Sequence, residues 1–396
     1  MMYEIWIRDS QLDRIAPVLN FTKLTLNMNF NDVGKWILEL PPEETESINK
    51  LLEVRREGNG LGGIIVTRDG NIIFSGPIRN IEMNEDWSSD EDNGSFIVYG
   101  IDDTGLLATR MAVPPVPEDG QYRFHRGTGI GYDVVTGSSE TCMLHLVENN
   151  IGYLAVDGRA IPLLATTTDG LKGTTITVRS RYDYLIDKLK EAALSGGLGF
   201  RVIQSYDDFF EIPVLLFEVF EPEDVTGTVV FSKERRNLSG YKYHVEAPEG
   251  NYILCGGGGE NTARYFVGTG DEPSRLLYGT IEYFLDQRQT TVEAELLQAL
   301  YNELEERTEK TRLEIYPIDV EGTRFMEDYD LGYKATVEVQ GETIHDVIRS
   351  VQITLDKDGE IITPFVGTPG TYIGTAFRLF DDYRRLQGRV GKIERR

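Results

Sequence analysis

The stretch NYILCGGGGENTARYFV, residues 251–267, sets four consecutive glycines between two apolar runs, and its reading decides what kind of fold follows. Glycine-rich loops cradle phosphates in two familiar settings. A Walker loop needs Lys and then Ser or Thr directly after the glycines, at the start of a helix. A dinucleotide fingerprint needs G-x-G-x-x-G, again followed by a helix. Here the glycines lead instead into ARYFVGTG, whose residues favour a strand. Strand, glycine loop and strand offer no helix N-terminus to hold an anion. The stretch therefore predicts β structure, with glycines that let the chain bend tightly or let another backbone approach.

Working outward, the first hundred residues read the same way. YEIWIRD is a strand, and FTKLTLNMNF places Leu24, Leu26 and Met28 on one face. GKWILELP is stopped by Pro41 and Pro42. GGIIVTRDGNIIFSGPI carries a hairpin signature, with RDGN as its turn. SFIVYGIDD closes the set, after an acidic loop, NEDWSSDEDNG, whose spacing fails the twelve-residue calcium template. The prolines of MAVPPVPEDG (111–120) mark a linker.

Two helices follow. TGSSETCMLHLVENNIG is capped by Ser138 or Ser139, with Met143, Leu144, Leu146 and Val147 apolar and Gly152 after its end. RYDYLIDKLKEAALSGG lines up Leu185, Leu189 and Ala192/Ala193 and stops at Gly196-Gly197. GFRVIQ, VLLFEVF and TGTVVFS are strands. Beyond the glycine run, TTVEAELLQALYNELEERTEK is the strongest helix of the chain. Thr290 and Glu293 have capping-box spacing, and Val292, Leu296, Ala299/Leu300 and Glu303/Leu304 trace a helical stripe. LEIYPIDV, YKATVEV, IHDVIRSVQITL and EIITPFVG are strands, with DKDG as a hairpin turn. The expected fold is mainly β with α+β insertions. It divides into an N-terminal β-rich domain (1–112), a central α/β domain with two helices (113–240), an α+β domain with the glycine loop and long helix (241–375), and a basic tail (376–396).

Composition bounds the function. Across 396 residues, 65 acidic and 40 basic side chains give a net charge of −25, which argues against tight binding of nucleic-acid phosphates. It is compatible with a surface past which DNA slides without sticking. No run approaches eighteen apolar residues, and MMYEIWIRDSQLDR lacks the basic start and apolar core of a signal peptide. These features point to assembly in a cytoplasm, without membrane insertion, and to Cys142 and Cys255 as free buried thiols.

Nothing marks a reaction centre. The histidines His125, His145, His244 and His345 form no i,i+3 or i,i+4 pair, and H-E-x-x-H, G-x-S-x-G and C-x-x-C are all missing. The acids of EDYD (327–330), EPED (221–224) and Asp102-Asp103 are candidates for paired-carboxylate hydrolysis only by abundance. No catalytic, metal or cofactor residue is assigned. The final FRLFDDYRRLQGRVGKIERR has seven basic and three acidic residues, a reversed-charge end. It reads either as a solvated terminus or as a docking peptide for an acidic neighbour, through Arg384, Arg385, Arg389, Lys392, Arg395 and Arg396.

Several stretches together resemble the siphovirus tail-tip hub proteins, the baseplate hubs of long-tailed phages and prophages. IRDSQLDRIAPVLNFTKLTLNMNFNDVGKWILELP is similar to the family's opening strands. VVFSKERRNLSGYKY followed by NYILCGGGGENTARYF matches its strand, Asn-Leu and glycine-loop succession, and IEYFLDQRQ, the long helix and DYDLGYKATVEV its helix-to-strand block. The match runs over about residues 3–370.

The resemblance implies a virion structural protein at the tail tip, a multi-domain hub with tail-tube-like β-barrels, arranged as a homotrimeric ring under the distal tail protein. It implies a hold on the C-terminus of the tape-measure protein, a contact with a receptor-binding or fibre protein, and closure of the tube until DNA passes. Gly256, Gly257, Gly258, Gly259, Glu260 and Asn261 become a backbone-contact or lumen-facing element; a buried turn without a partner is the alternative. The chain stops soon after residue 370, unlike longer members with lytic or sugar-binding extensions, so no enzymatic role is expected. The competing readings are a tail-associated cell-wall hydrolase and a hub component of a phage-derived contractile injection particle.

Overall fold

The computed structural model describes residues 2–84, 94–114, 131–155, 158–206, 212–318 and 320–367. With 46% of residues in strands and 20% in helices, arranged in several sheets, the protein is mainly β, as the alternating patterns predict. The acidic loop of residues 85–93, most of the proline linker and the whole basic tail lie outside the described residues.

The hairpin read from RDGN is present. Strands Gly63–Arg68 and Asn71–Asn84 meet at Asp69 and Gly70, with φ of 50° and 87°, the left-handed pair that a tight hairpin turn requires. Strand Lys23–Asn29 buries Leu24, Leu26 and Met28 and turns its other residues outward. It pairs on one side with Lys35–Leu40 and on the other with Glu342–Asp356, three hundred residues further along. The first and last thirds of the chain therefore share one sheet and one core, in which Trp36, Phe96, Phe231 and Tyr329 are fully buried or nearly so.

Two long strands shape that sheet. Asn71–Asn84 pairs with Gly63–Arg68 over its first half and with Ser95–Ile101 over its second, and its register shifts between Ile78 and Asn80. Glu342–Asp356 passes from Lys334–Val339 to Lys23–Asn29 and shifts between Ile348 and Ser350. Such bulges add twist and bend a strand around its core. The ladder begins at Arg14–Val18 and ends at Leu238–Glu246; among the described residues neither pairs on its outer side.

The middle of the chain has a core of its own. Helix Ser139–Asn150 packs on helix Leu185–Gly196 and on the strands Asp133–Ser138 and Thr175–Ser180, and the same core takes in side chains of Gly199–Tyr206 and Pro213–Phe220. Ser138 caps the first helix by accepting the Thr141 N–H at 3.1 Å. Gly197, at φ 67°, ends the second in the left-handed conformation. Cys142 and Cys255 are both free and buried, and burial pushes each thiol up to about 11.

This middle unit is tied to the large sheet by a buried polar network. The Arg8 guanidinium donates to Asp103 Oδ1 and Oδ2 at 2.5 and 2.8 Å, to Gln204 Oε1 at 2.9 Å and to the Leu61 carbonyl at 3.1 Å. Ser75 donates to Asp103 as well. Arg8 and Asp103 are wholly buried, so each charge depends on the other. Helix Thr45–Arg55, which the sequence pattern did not single out, covers one end of the sheet through Leu51 and Val54.

Candidate functional site

Residues 251–309 form a small unit around the glycine run. Strand Tyr252–Gly256 pairs antiparallel with Phe266–Gly270 and parallel with Glu282–Asp286. One face of this three-stranded sheet meets helix Glu293–Arg307 through Ile253, Cys255, Leu296 and Leu300. As the opening stretch predicts, strand follows glycine loop, and no helix starts at the glycines.

The run divides. Gly256, Gly257 and Gly258 are buried, whereas Gly259, Glu260 and Asn261 are exposed at the tip. A Cβ on Gly257 would stand 2.8 Å from the Leu296 side chain, and one on Gly258 3.0 Å from the Arg288 carbonyl. The bare backbone lets the Gly258 N–H donate to the Thr290 carbonyl at 2.7 Å. Gly259 has φ 106° and would place a Cβ 2.6 Å from the Ala263 carbonyl.

That bond to Thr290 corrects one expectation. Thr290 and Glu293 do not form a capping box: the helix begins at Glu293, Val292 holds the N-cap position, and Thr290 Oγ1 accepts from the Val292 N–H at 3.1 Å. With Thr290 held against the glycines, the helix starts later than the spacing suggests. Val292, expected on the apolar stripe, is 49% exposed. Leu296 and Leu300 are buried as expected.

Arg264 holds the loop from the inside and was not legible in the sequence. Its guanidinium donates to the carbonyls of Gly257 and Gly256 at 2.8 and 2.9 Å and to Asp286 Oδ1 at 2.5 Å. It also lies over the rings of Phe266 and Phe284, at 5.3 and 5.5 Å. Its partners are two backbone carbonyls and a carboxylate from a separate strand, so no local spacing announces it. Arg384, Arg385, Arg389, Lys392, Arg395 and Arg396 lie outside the described residues.

The remaining chemistry is structural in its geometry. His145 Nε2 lies 3.0 Å from Asp133 Oδ1, and its Nδ1 faces Asn149 at 3.1 Å, so both ring nitrogens are engaged. His145 and Asn149 border an open polar pocket of about 430 Å³ with Glu148, Asp169 and Thr166. Its carboxylates are bound within the chain, Asp169 by Thr141 at 2.7 Å and Glu148 by Thr166 at 2.9 Å. Asp103 sits in the interior and Asp102 beside it is partly covered: loss of solvation raises Asp102 well above the ordinary carboxylate value, although it accepts the Gly34 and Gly105 N–H groups. Among the described residues no three His, Cys, Asp or Glu side chains group as a metal site, and no helix is long and apolar enough to cross a membrane.

The fold is similar to that of the 43 kDa tail protein of prophage MuSo2 from Shewanella oneidensis, at 12% identity and TM-score 0.55, over 92% of this chain and 98% of that one. It is similar to a tail protein from Neisseria meningitidis MC58, at 11% identity and TM-score 0.54, over 94% and 98%. A third likeness, to prophage tail protein gp18 from Listeria monocytogenes EGD-e, has 8% identity and TM-score 0.50 over 97% and 99%. At these identities the likeness is one of fold, and that fold is the one these phage tail proteins share. Among curated proteins none matches the chain in sequence. Residues 4–368 match the family of Siphovirus ReqiPepy6 Gp37-like proteins, and the chain belongs to that family. Family and fold agree: a siphovirus family whose chain has the fold of phage tail proteins.

Proposed function

We propose that copies of this protein form a threefold ring under the distal tail protein, hold the C-terminus of the tape-measure protein, and close the tube until DNA passes. The role is architectural rather than catalytic, and a receptor-binding or fibre protein joins from outside. The observation that carries this reading is the large sheet, which among the described residues ends at Arg14–Val18, at Leu238–Glu246 and, on a side branch, at Val230–Ser232, each paired on one side only. Open edges invite pairing unless they are covered. Two different surfaces on one chain allow the head-to-tail contacts that close a ring. Within the ring, residues 139–219 supply most of a second core, completed by Leu12, Leu61, Leu106 and Leu107, beside the core of the large sheet.

Net charge supports a second element of the proposal. At −25, the chain supplies a lumen that repels transiting phosphates rather than binding them. The exposed tip Gly259–Asn261 faces that lumen or a neighbouring backbone. The basic residues Arg384, Arg385, Arg389, Lys392, Arg395 and Arg396 contribute a salt-sensitive contact with an acidic patch.

Mass measurement and imaging of the chain mixed with its distal tail protein test the ring. Three copies around one axis are expected; a single copy capping the distal ring would overturn the proposal. A pore lined mainly by Lys and Arg would overturn the repelling lumen. Removal of residues 378–396 is expected to weaken assembly most at low salt.

A further inference from the structure

Eight of the 24 exposed large apolar side chains among the described residues fall within residues 254–301, and Leu254, Phe266, Leu276, Leu277 and Phe284 are five of them. The small sheet alternates. Ile253 and Cys255 face the helix, whereas Leu254, beside Phe284 in the ladder, points the other way. Phe266 and Phe284 lie 6.5 Å apart on that outer side, 47% and 46% exposed. Arg264 covers both rings, and Asp286 takes up its charge, so the surface is apolar and locally neutral. The short helix Glu272–Tyr278 adds Leu276 and Leu277, 80% and 71% exposed. Four buried side chains make a meagre core for such a unit, and a cover on the outer side would supply what the inner side lacks.

We propose that this shelf, Leu276 and Leu277 with Leu254, Phe266 and Phe284, is covered by residues 377–396 of the same chain. The exit point favours it. Tyr278 Oη donates to Glu309 Oε2 at 2.5 Å, and Glu309 immediately precedes strand Lys310–Pro317. Arg312 of that strand pairs with Gly367, the last described residue. The path from Glu309 to the exit is about 10 Å along a strand. Residues 368–396 could span up to about 95 Å when extended, so reach imposes no limit. Tethering beside the shelf gives the segment an effective concentration of about millimolar order.

Charge and pattern agree. Residues 271–309 carry ten acidic and three basic side chains, whereas residues 377–396 carry three acidic and seven basic. In the terminal segment Leu379, Tyr383, Leu386, Val390 and Ile393 recur at intervals of four and three residues, an apolar stripe flanked by arginines. An apolar shelf bordered by acids is the matching surface. The contact assigned to neighbours in the ring is thus made within one chain before assembly, and it stands or falls separately from the ring.

A full chain with Tyr383→p-benzoylphenylalanine, irradiated as a dilute monomer, tests the docking. Crosslinks are expected within the monomer, landing on residues 252–286. They should fall at least tenfold in the same chain carrying Leu276→Asp and Leu277→Asp, two positions exposed enough to leave the fold intact. Crosslinks that land elsewhere, join two copies only, or persist in the double variant would overturn the proposal. None of those results bears on the mass of the assembled ring, and a missing ring would leave a monomer crosslink standing.

Discussion

The large sheet and the small glycine-loop unit solve the same problem with different means. Around Trp36, Phe231 and Tyr329 the chain closes a wide apolar interior and ties it to the middle unit through the buried Arg8–Asp103 pair. Around Ile253, Cys255, Leu296 and Leu300 there is one thin layer between sheet and helix, held at its end by buried glycines and Arg264. The first region is stabilised from within. The second keeps its aromatic side chains on the outside, where contacts remain to be made. The chain thus pairs a rigid frame with an outer surface that, under the proposal above, its own C-terminal segment covers.

The largest effect should come from the frame. Arg8→Ala leaves Asp103 charged and unpaired in the interior and is expected to cost about 3–5 kcal/mol. Urea unfolding would show it as a loss for the sheet and middle unit together; a change under 1 kcal/mol would break the comparison. Next is Gly259→Ala, which forces a side chain into a left-handed conformation against the Ala263 carbonyl, at about 1–3 kcal/mol. Hydrogen exchange should rise over residues 251–309 while the main unfolding transition stays in place. If both move together, the two regions are one cooperative unit.

Smaller effects sharpen the contrast. Burial places the folded-state pKa of Asp102 above its ordinary value of 3.8, so the native state binds the proton more tightly than the unfolded chain. Its contribution is full below that value, declines as pH rises toward the folded-state pKa, and levels off above it. Asp102→Asn should remove this decline, read as urea midpoints measured upward from pH 4; an unchanged slope would assign the dependence elsewhere. Ser138→Ala removes a true helix cap and should cost about 1 kcal/mol. Thr290→Ala removes the bonds to the Val292 N–H and to the Glu295 carboxylate and should cost about 0.5 kcal/mol. An equal cost would mean that Thr290 caps its helix after all.

The frame was largely legible because its strands obey the two-residue alternation, as in Lys23–Asn29, and because Asp69-Gly70 marks its turn chemically. Ser138 and Gly197 announce their helix ends for the same local reason. The small unit was read correctly as strand, loop and strand, yet its particulars were hidden. Thr290 has the right residue three positions before Glu293, but a glycine thirty-two residues upstream occupies its carbonyl. Arg264 is one arginine among many until the strand bearing Asp286 folds beside it. Leu276-Leu277, a bare apolar pair in a polar stretch, was the available signal for the outer shelf. The buried Arg8–Asp103 pair gave none, since ninety-five residues separate its members.

Strand Glu342–Asp356 lies between partners made at opposite ends of synthesis. While a ribosome is still adding the final fifth of the polypeptide, Lys23–Asn29 has one flank without its mate, and the apolar row of Leu24, Leu26 and Met28 waits in a half-built wall. The wall is therefore finished only after residue 356 has been made, long after its first strand, and any chain cut short before that point leaves the row of Leu24, Leu26 and Met28 without its mate.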